Sequence, residues 1–147
     1  MDIKQFDVIY VDFGNNVGHE QSGYRPAVVV QNDLGNRYCP TLVVVPLTTS
    51  LKKIGQPTHN ILYKDKFNGL LKDSMLLGES LTSISKERIV KKVGHISRSQ
   101  QQKVLDVYIA NVVGRKKDKD NEFLYLLKMI SSMIFNGCSQ RYESVVY

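Results

Sequence analysis

Two runs of β-branched residues, PAVVVQ at 26–31 and TLVVVP at 41–46, lie close together in the chain. The polar stretch between them contains Gly35 and Asn36, which readily adopt the backbone angles of a tight turn. Two strands joined by a short turn pair antiparallel, so these segments predict a β-hairpin. Because valine occupies consecutive positions, both faces of the hairpin are expected to be covered by other parts of the protein.

Other segments extend this β pattern. Residues 6–13, FDVIYVDF, are rich in β-branched and aromatic residues and predict a first strand, followed by a loop at 14–24. Further short strands are predicted at 59–63, within 70–77, continuing over 79–84, and at 89–93. We therefore predict a mainly β protein with some helix (α+β), built as a small, strongly bent antiparallel β-barrel with C-terminal helices.

Helical spacing appears late in the chain. Ser97 and Gln100 form a capping-box pattern, and apolar residues recur at three- and four-residue intervals from Val104 onward. Gly114 follows, as is typical of a residue just beyond a helix. This pattern predicts a helix that completes a domain at 1–114.

The remaining chain has two predicted parts. Residues 115–121, RKKDKDN, are polar and charged and predict a linker. Beyond it, apolar residues from Phe123 to Ile134 recur at helical spacing, so 122–147 is predicted to hold an additional amphipathic helix and a tail. We expect this helix to pack on the domain; a second copy of the chain or another protein is the alternative.

Composition disfavours two classes of protein. There is no run of about 18 apolar residues to cross a membrane, and the N-terminus lacks the long apolar segment of a secretory signal. The two cysteines, Cys39 and Cys138, lack metal-ligand spacing and are expected to be free thiols in a reducing compartment. A cytoplasmic protein without membrane contact is the resulting expectation.

The charge balance favours an anionic partner. The chain has 20 Lys and Arg against 14 Asp and Glu, a net charge of +6. Nucleic acid is the first candidate for such a surplus. The lysines lie in short clusters and not in a basic tail, however, so a solvated lysine-rich face explains the charge equally well.

Arg25 and Thr48 stand at the open end of the predicted hairpin. Antiparallel pairing places the start of one strand beside the end of the other, so these two residues are expected to be neighbours. A guanidinium donates two parallel hydrogen bonds to phosphate oxygens, and a hydroxyl supplies a third donor. The alternative is that Arg25 pairs with a carboxylate such as Glu20 while Thr48 belongs to a turn.

Four motifs in order along the chain resemble the MazF/PemK family of bacterial toxin ribonucleases. They are DVIYVDFG at 7–14, GHEQSGYRPAVVVQND at 18–33, GNRYCPTLVVVPLT at 35–48 and PTH at 57–59. The resemblance implies an SH3-like barrel shared with the gyrase-poisoning toxins, a homodimer, and sequence-specific, metal-independent cleavage of single-stranded RNA. It also implies an mRNA interferase without cofactor, neutralised by a cognate antitoxin that binds the RNA groove.

By the same resemblance, Arg25 and Thr48 are the catalytic residues. The expected RNA-binding residues are His19, Glu20, Gln21, Ser22, Tyr24, Thr49, Ser50, Lys52, Lys53 and Glu79. Many relatives have an acid, a glutamine and a basic residue where this chain reads Glu79–Ser80–Leu81–Thr82, so no relative's cleavage sequence is transferred. His59 and His95 are expected to be structural or surface histidines.

Two other functions remain open at this point. The chain could be a non-catalytic RNA- or gyrase-binding relative on the same barrel, because a fold does not fix a function. It could also be a basic scaffold whose C-terminal helix recruits a partner.

Overall fold

The computed structural model describes residues 1–15, 17–18, 21–114 and 130. Its strands are β1 (Asp7–Asp12), β2 (Tyr24–Val29), β3 (Thr41–Thr48), β4 (His59–Leu62), β5 (Ser74–Leu77), β6 (Thr82–Ser85) and β7 (Ile89–His95). Its helices of known bounds are α1 (Asp33–Tyr38) and α2 (Arg98–Val112), with single 3₁₀ turns at Gly78–Ser80 and Lys86–Arg88.

The strands form one antiparallel sheet that forks at β3. Its order is β4-β5-β3-β2-β1-β7, with β6 paired to β3 off this path. One edge of β3 pairs with β2, while the other pairs with β6 over Thr41–Val44 and with β5 over Leu47–Thr48. A mainly antiparallel sheet followed by a helix is confirmed. Between the described strands at the two ends, β4 and β7, no pairing closes the sheet, so the closed barrel is not confirmed.

Both faces of the β2–β3 hairpin are buried, as the consecutive valines predict. Val28 belongs to a cluster that includes Val104 and Val107 of α2, and Ala27 and Val29 belong to a second cluster on the opposite face. All five residues are at most 1% exposed. Burial of each valine contributes about 1.5–3 kcal/mol, so the hairpin is a rigid support for the residues at the ends of its two strands.

The tight turn predicted between the two valine runs, around Gly35 and Asn36, is wrong, because these residues belong to helix α1. Asn32 is its N-cap, and the Asn32 side-chain oxygen accepts the backbone N–H of Gly35 at 2.8 Å. Asp33 adds a negative charge in the first turn, where the helix dipole favours it. The short helix still connects β2 to β3, and their antiparallel pairing is confirmed.

Helix α2 begins where predicted, but the predicted capping box is wrong. The Ser97 side chain makes no cap hydrogen bond. The Gln100 side chain instead accepts the N–H of Tyr63 at 2.8 Å and donates to the carbonyl of Tyr63 at 3.0 Å. Gln100 therefore ties α2 to the segment that leaves β4.

The predicted strand over 79–84 is also corrected. Residues 78–80 form a 3₁₀ turn, and β6 starts only at Thr82. A Cβ added at Gly78 would lie 2.5 Å from Val107 Cγ1 and 2.7 Å from the carbonyl oxygen of Thr58. This close approach of α2 and the preceding loop turns the chain away from β5 before β6 begins.

Asn68 holds together the turn between β4 and β5. It is fully buried; its side-chain oxygen accepts the N–H groups of Asp65 and Leu70, and its amide donates to the Tyr63 carbonyl at 2.9 Å. Asn68→Ala is expected to lower the free energy of unfolding by about 2 kcal/mol, because buried backbone groups lose their partners. Urea denaturation measures this, with the exposed Lys66→Ala as control. Equal stability of both variants would contradict the prediction.

The C-terminal predictions lie largely outside the described residues. The linker at 115–121 is outside them, and of 122–147 only residue 130 is described, in helical conformation. Cys39 is disulfide-bonded, so the prediction of a free thiol there is wrong; Cys138 lies outside the described residues. Within the described ranges no helix is long and apolar enough to span a membrane.

Candidate functional site

The loop between β1 and β2 is closed at its base by two backbone hydrogen bonds. The N–H of Phe13 donates to the carbonyl of Gly23, and the N–H of Gly23 donates to the carbonyl of Gly14, both at 2.9 Å. Gly14 and Gly23 have φ angles of 71° and 74°, which glycine adopts without steric cost. This closure fixes the point at which the chain enters β2 with Tyr24 and Arg25.

Arg25 lies at the start of β2, opposite Val11 of β1, and is half-buried. Its Nη1 donates to the side-chain oxygen of Gln21, and Gln21 Nε2 donates to Ser80 Oγ at 3.3 Å. Gln21 therefore links the guanidinium to the turn at 78–80. Arg25 Nε is buried and has no hydrogen-bond partner in the described part of the chain.

Thr48 ends β3, where it pairs with Met75 of β5. The β2–β3 ladder ends at Ala27 opposite Pro46; two residues further, the same register sets Arg25 opposite Thr48. Alternate residues of a strand share a face, so Arg25 and Thr48 belong to the face of Ala27 and Pro46. Thr48 Oγ1 accepts the N–H of Ser50 at 3.2 Å, which orients the hydroxyl while its own proton can be donated.

A basic loop, defined here as residues 51–58, follows β3. Thr49 and Ser50, which precede it, are exposed, as are Lys52 and Lys53 within it. Lys53 has a φ angle of 56°, the left-handed region that residues with a Cβ rarely occupy. The predicted RNA-binding residues after β3 therefore lie on an exposed surface that starts beside Thr48.

Glu79 and His59 are in hydrogen-bond contact, and His59 also contacts the backbone of the basic loop. His59 Nε2 lies 2.8 and 2.9 Å from the two oxygens of Glu79, and His59 Nδ1 lies 2.8 Å from the carbonyl oxygen of Lys53. The His59 side chain is 4% exposed, whereas that of Glu79 is 48% exposed. Sequence reasoning did not pair these residues, because β4 and β5 meet through long-range strand pairing.

Tyr24 is 63% exposed and stacks on Tyr10 of β1, with ring centroids 6.4 Å apart and planes at 21°. Lys91 of β7 places its ammonium 6.0 Å from the centre of the Tyr10 ring. Sequence reasoning missed Tyr10 and Lys91, although strand alternation puts Tyr10 on the face opposite the buried Ile9 and Val11. An aromatic pair with the exposed ring of Tyr24, beside a cation, suits the stacking of unpaired bases.

Of the remaining predicted site residues, one lies in the part of the chain that the structure describes and two do not. Ser22 is exposed in the loop next to Gly23. His19 and Glu20 lie outside the described residues. Across 1–15, 17–18, 21–114 and 130, no three or more His, Cys, Asp or Glu residues are grouped so that they could hold a metal ion.

These features define a small antiparallel β protein with a cationic rim site suited to an anionic ligand. Residues 4–111 match the family model described as "PemK-like, MazF-like toxin of type II toxin-antitoxin system". The chain therefore belongs to the PemK/MazF family of toxins.

Two curated relatives are similar over most of their length. The chain is 38% identical over 104 residues to endoribonuclease EndoA of Bacillus subtilis (strain 168), which covers 71% of this chain and 89% of the relative. It is 39% identical over 98 residues to endoribonuclease MazF of Staphylococcus epidermidis, which covers 67% and 81%.

Solved structures share the fold at lower identity. MazF from Deinococcus radiodurans superposes with a TM-score of 0.63 at 20% identity, covering 78% of this chain and 99% of that one. An endoribonuclease from mycobacterial species, solved with its cognate antitoxin, gives a TM-score of 0.63 at 17% identity and the same coverage. At these identities the structures bear on the fold alone.

Proposed function

We propose that this protein is the toxin endoribonuclease of a type II toxin–antitoxin system, and that it cleaves single-stranded RNA at selected sequences without a metal ion. Family membership and the names of the curated relatives support the activity class. The observation that carries the proposed site is the continuation of the β2–β3 register, which sets the half-buried Arg25 opposite Thr48.

The surroundings of Arg25 favour a phosphate ligand. The guanidinium is half-buried, so a phosphate oxygen that reaches it makes a charge-assisted hydrogen bond in partly desolvated surroundings. The side-chain partner of Arg25 Nη1 is the neutral amide of Gln21, which leaves the positive charge of the guanidinium available to the ligand. Gln21 thus positions the guanidinium of Arg25 without neutralising its charge, which favours the binding of a phosphate.

The chemistry proposed for this pair is attack by the ribose on its own phosphodiester. The 2′-oxygen forms a bond to phosphorus and loses its proton, while the bond from phosphorus to the 5′-oxygen breaks and that oxygen gains a proton. The products are a 2′,3′-cyclic phosphate and a 5′-hydroxyl. Arg25 stabilises the charge that grows on the phosphate, and Thr48 donates to a non-bridging oxygen. Arg25 does not act as the base, because a guanidinium keeps its proton in proteins and has no lone pair to accept another.

The exposed residues around this pair are proposed to bind the rest of the RNA. Lys52 and Lys53 attract the phosphate backbone. Tyr24, which precedes Arg25 in β2 and lies on the other face of the sheet, stacks on an unpaired base of an RNA that continues around this edge. Glu79 and Ser80 present hydrogen-bonding groups to base edges. This set, with Gln21, Ser22, Thr49, Ser50 and the undescribed His19 and Glu20, is proposed to select the cleaved sequence.

The partners are proposed from the same chemistry. A homodimer in the cytoplasm, where mRNA is found, is proposed from the family resemblance. A cognate antitoxin with carboxylates would compete with RNA phosphates for Arg25 and Lys53. The mycobacterial endoribonuclease described above was solved with its cognate antitoxin, which supports an antitoxin as a partner of this chain.

Cleavage mapping tests the proposed function. Incubation of the purified protein with a long RNA of mixed sequence and excess EDTA is expected to give cuts at a restricted set of sites, with 5′-hydroxyl ends. Sequencing of the fragment ends locates these sites. Cuts that disappear with EDTA would contradict the metal-independent mechanism. RNA binding without cleavage under single-turnover conditions, or inhibition of gyrase, would favour the non-catalytic alternative.

A further inference from the structure

We propose that His59 is a positioning residue that holds Lys53 of the basic loop in place for RNA binding. This inference rests on the proposed function. It concerns a buried histidine that does not itself touch RNA and acts through the backbone of Lys53. The three groups involved are the Lys53 carbonyl, the His59 ring and the Glu79 carboxylate.

Both nitrogens of the His59 ring face hydrogen-bond acceptors. Nδ1 lies 2.8 Å from the Lys53 carbonyl oxygen, which can only accept, and Nε2 lies 2.8 Å from the Glu79 carboxylate. The Lys53 carbonyl has no proton to give, so Nδ1 is the donor in that bond. The ring is 4% exposed, and its two bonds therefore fix the carbonyl of Lys53 relative to Glu79.

The backbone of Lys53 needs such a partner. Its φ angle of 56° costs about 1–2 kcal/mol for a residue with a Cβ. The carbonyl of Lys53 accepts from His59 Nδ1 and also from the N–H of Gln56 at 3.3 Å. Strained backbone persists only where its surroundings enforce it. These two hydrogen bonds therefore hold the backbone of Lys53, and with it the direction of its exposed side chain.

The same contacts connect the basic loop to Arg25. The N–H of Gly78 donates to the carbonyl of Thr58 at 2.9 Å, which joins the end of the loop to the turn at 78–80. Ser80 of that turn accepts from Gln21, the partner of Arg25. The turn at 78–80 therefore helps to set the distance between Lys53, which binds the RNA backbone, and Arg25, which binds the cleaved phosphate.

Two substitutions of His59 test the two hydrogen bonds of its ring separately. Glutamine places an amide near Nε2, so His59→Gln keeps the contact with Glu79 and loses the donor to Lys53. Asparagine places an amide near Nδ1, so His59→Asn keeps the donor to Lys53. His59→Gln is expected to raise KM about tenfold with kcat within about twofold, the upper end of the effect of one lost hydrogen bond. His59→Asn is expected to stay within about threefold of the wild-type KM.

A double-mutant cycle tests whether His59 acts through Lys53. Lys53→Ala is expected to raise KM, and adding His59→Gln to it is expected to cause no further rise. His95→Gln is the matched control, because His95 contacts Asp7 at the β1–β7 edge. Thermal denaturation of each variant verifies folding before kinetics. Additive effects, or a fall in kcat at unchanged KM, would overturn the proposal.

A failure of the proposed function gives a different pattern. If the wild-type protein binds RNA without cutting it, the same variants are compared by the Kd for a single-stranded RNA, with the same tenfold and threefold expectations. If the wild-type protein neither cuts nor binds RNA, the proposed function and this inference both fail. An active wild type with an unaffected His59→Gln variant overturns the inference alone.

Discussion

Arg25→Ala is expected to reduce RNA cleavage about a thousandfold or more, with the fold intact. An arginine that stabilises charge on a transferring phosphoryl group contributes about 10³–10⁵ in rate. The variant removes the positive charge and every donor of the guanidinium, including the buried Nε. Since Arg25 is half-buried at the rim, its loss leaves both apolar clusters complete. Single-turnover cleavage of a defined RNA measures the effect.

Two further variants make this test specific. Arg25→Lys keeps the charge but loses the planar fork, so it is expected to recover only part of the activity. Arg37→Ala removes the same charge from the exposed face of α1, where Arg37 lies 5.2 Å from the ring centre of Tyr38. The length of β2 separates α1 from Arg25, and activity should stay within about twofold. An Arg25→Ala variant that keeps more than a tenth of the activity would contradict the assignment.

The part of the site that chain order determines could be predicted from the sequence. Arg25 precedes one valine run and Thr48 follows the next, so antiparallel pairing alone sets them at the same end of the hairpin. Finding helix α1 in place of the predicted turn does not alter this, because α1 lies at the hairpin's other end. The catalytic roles of Arg25 and Thr48 stay predictions.

Contacts between distant segments could not be predicted. Gln21 and Ser80 are 59 residues apart, and His59 and Glu79 are 20 apart. His59 meets Glu79 because β4 pairs with β5, and Gln21 meets Ser80 because β3 forks to pair with both β5 and β6 along one edge. No local pattern in the sequence encodes that fork. The same fork explains why a strand predicted over 79–84 is interrupted by the 3₁₀ turn.

Local patterns also misled where tertiary contacts compete for the same side chain. Ser97 and Gln100 match a capping box, but the Gln100 side chain forms three hydrogen bonds with Tyr63 and Asp65. Gln100 is 8% exposed, and these partners lie in the turn beneath the helix. The three hydrogen bonds of the buried Gln100 amide stabilise the fold more than one exposed capping hydrogen bond would. The helix forms regardless, since its apolar face packs on the sheet.

Thr48→Val is expected to lower kcat about a hundredfold with little change in KM. Valine has nearly the shape of threonine, so the end of β3 and its pairing with Met75 should be kept. The lost hydroxyl is a donor to the charged phosphate oxygen, and removal of one such donor typically costs about 10²–10³ in kcat. KM should change little because the donor acts mainly in the transition state.

Thr48→Ser and Thr41→Val are the matched variants. Serine keeps the hydroxyl and its acceptance of the Ser50 N–H, so Thr48→Ser should retain most of the activity. Thr41→Val makes the same chemical change at the opposite end of β3, where Thr41 pairs with Ser85. Its activity should equal that of the wild type. If Thr48→Val cleaves within about threefold of the wild-type rate, the hydroxyl does not donate to the transition state and Arg25 stabilises the phosphate without it.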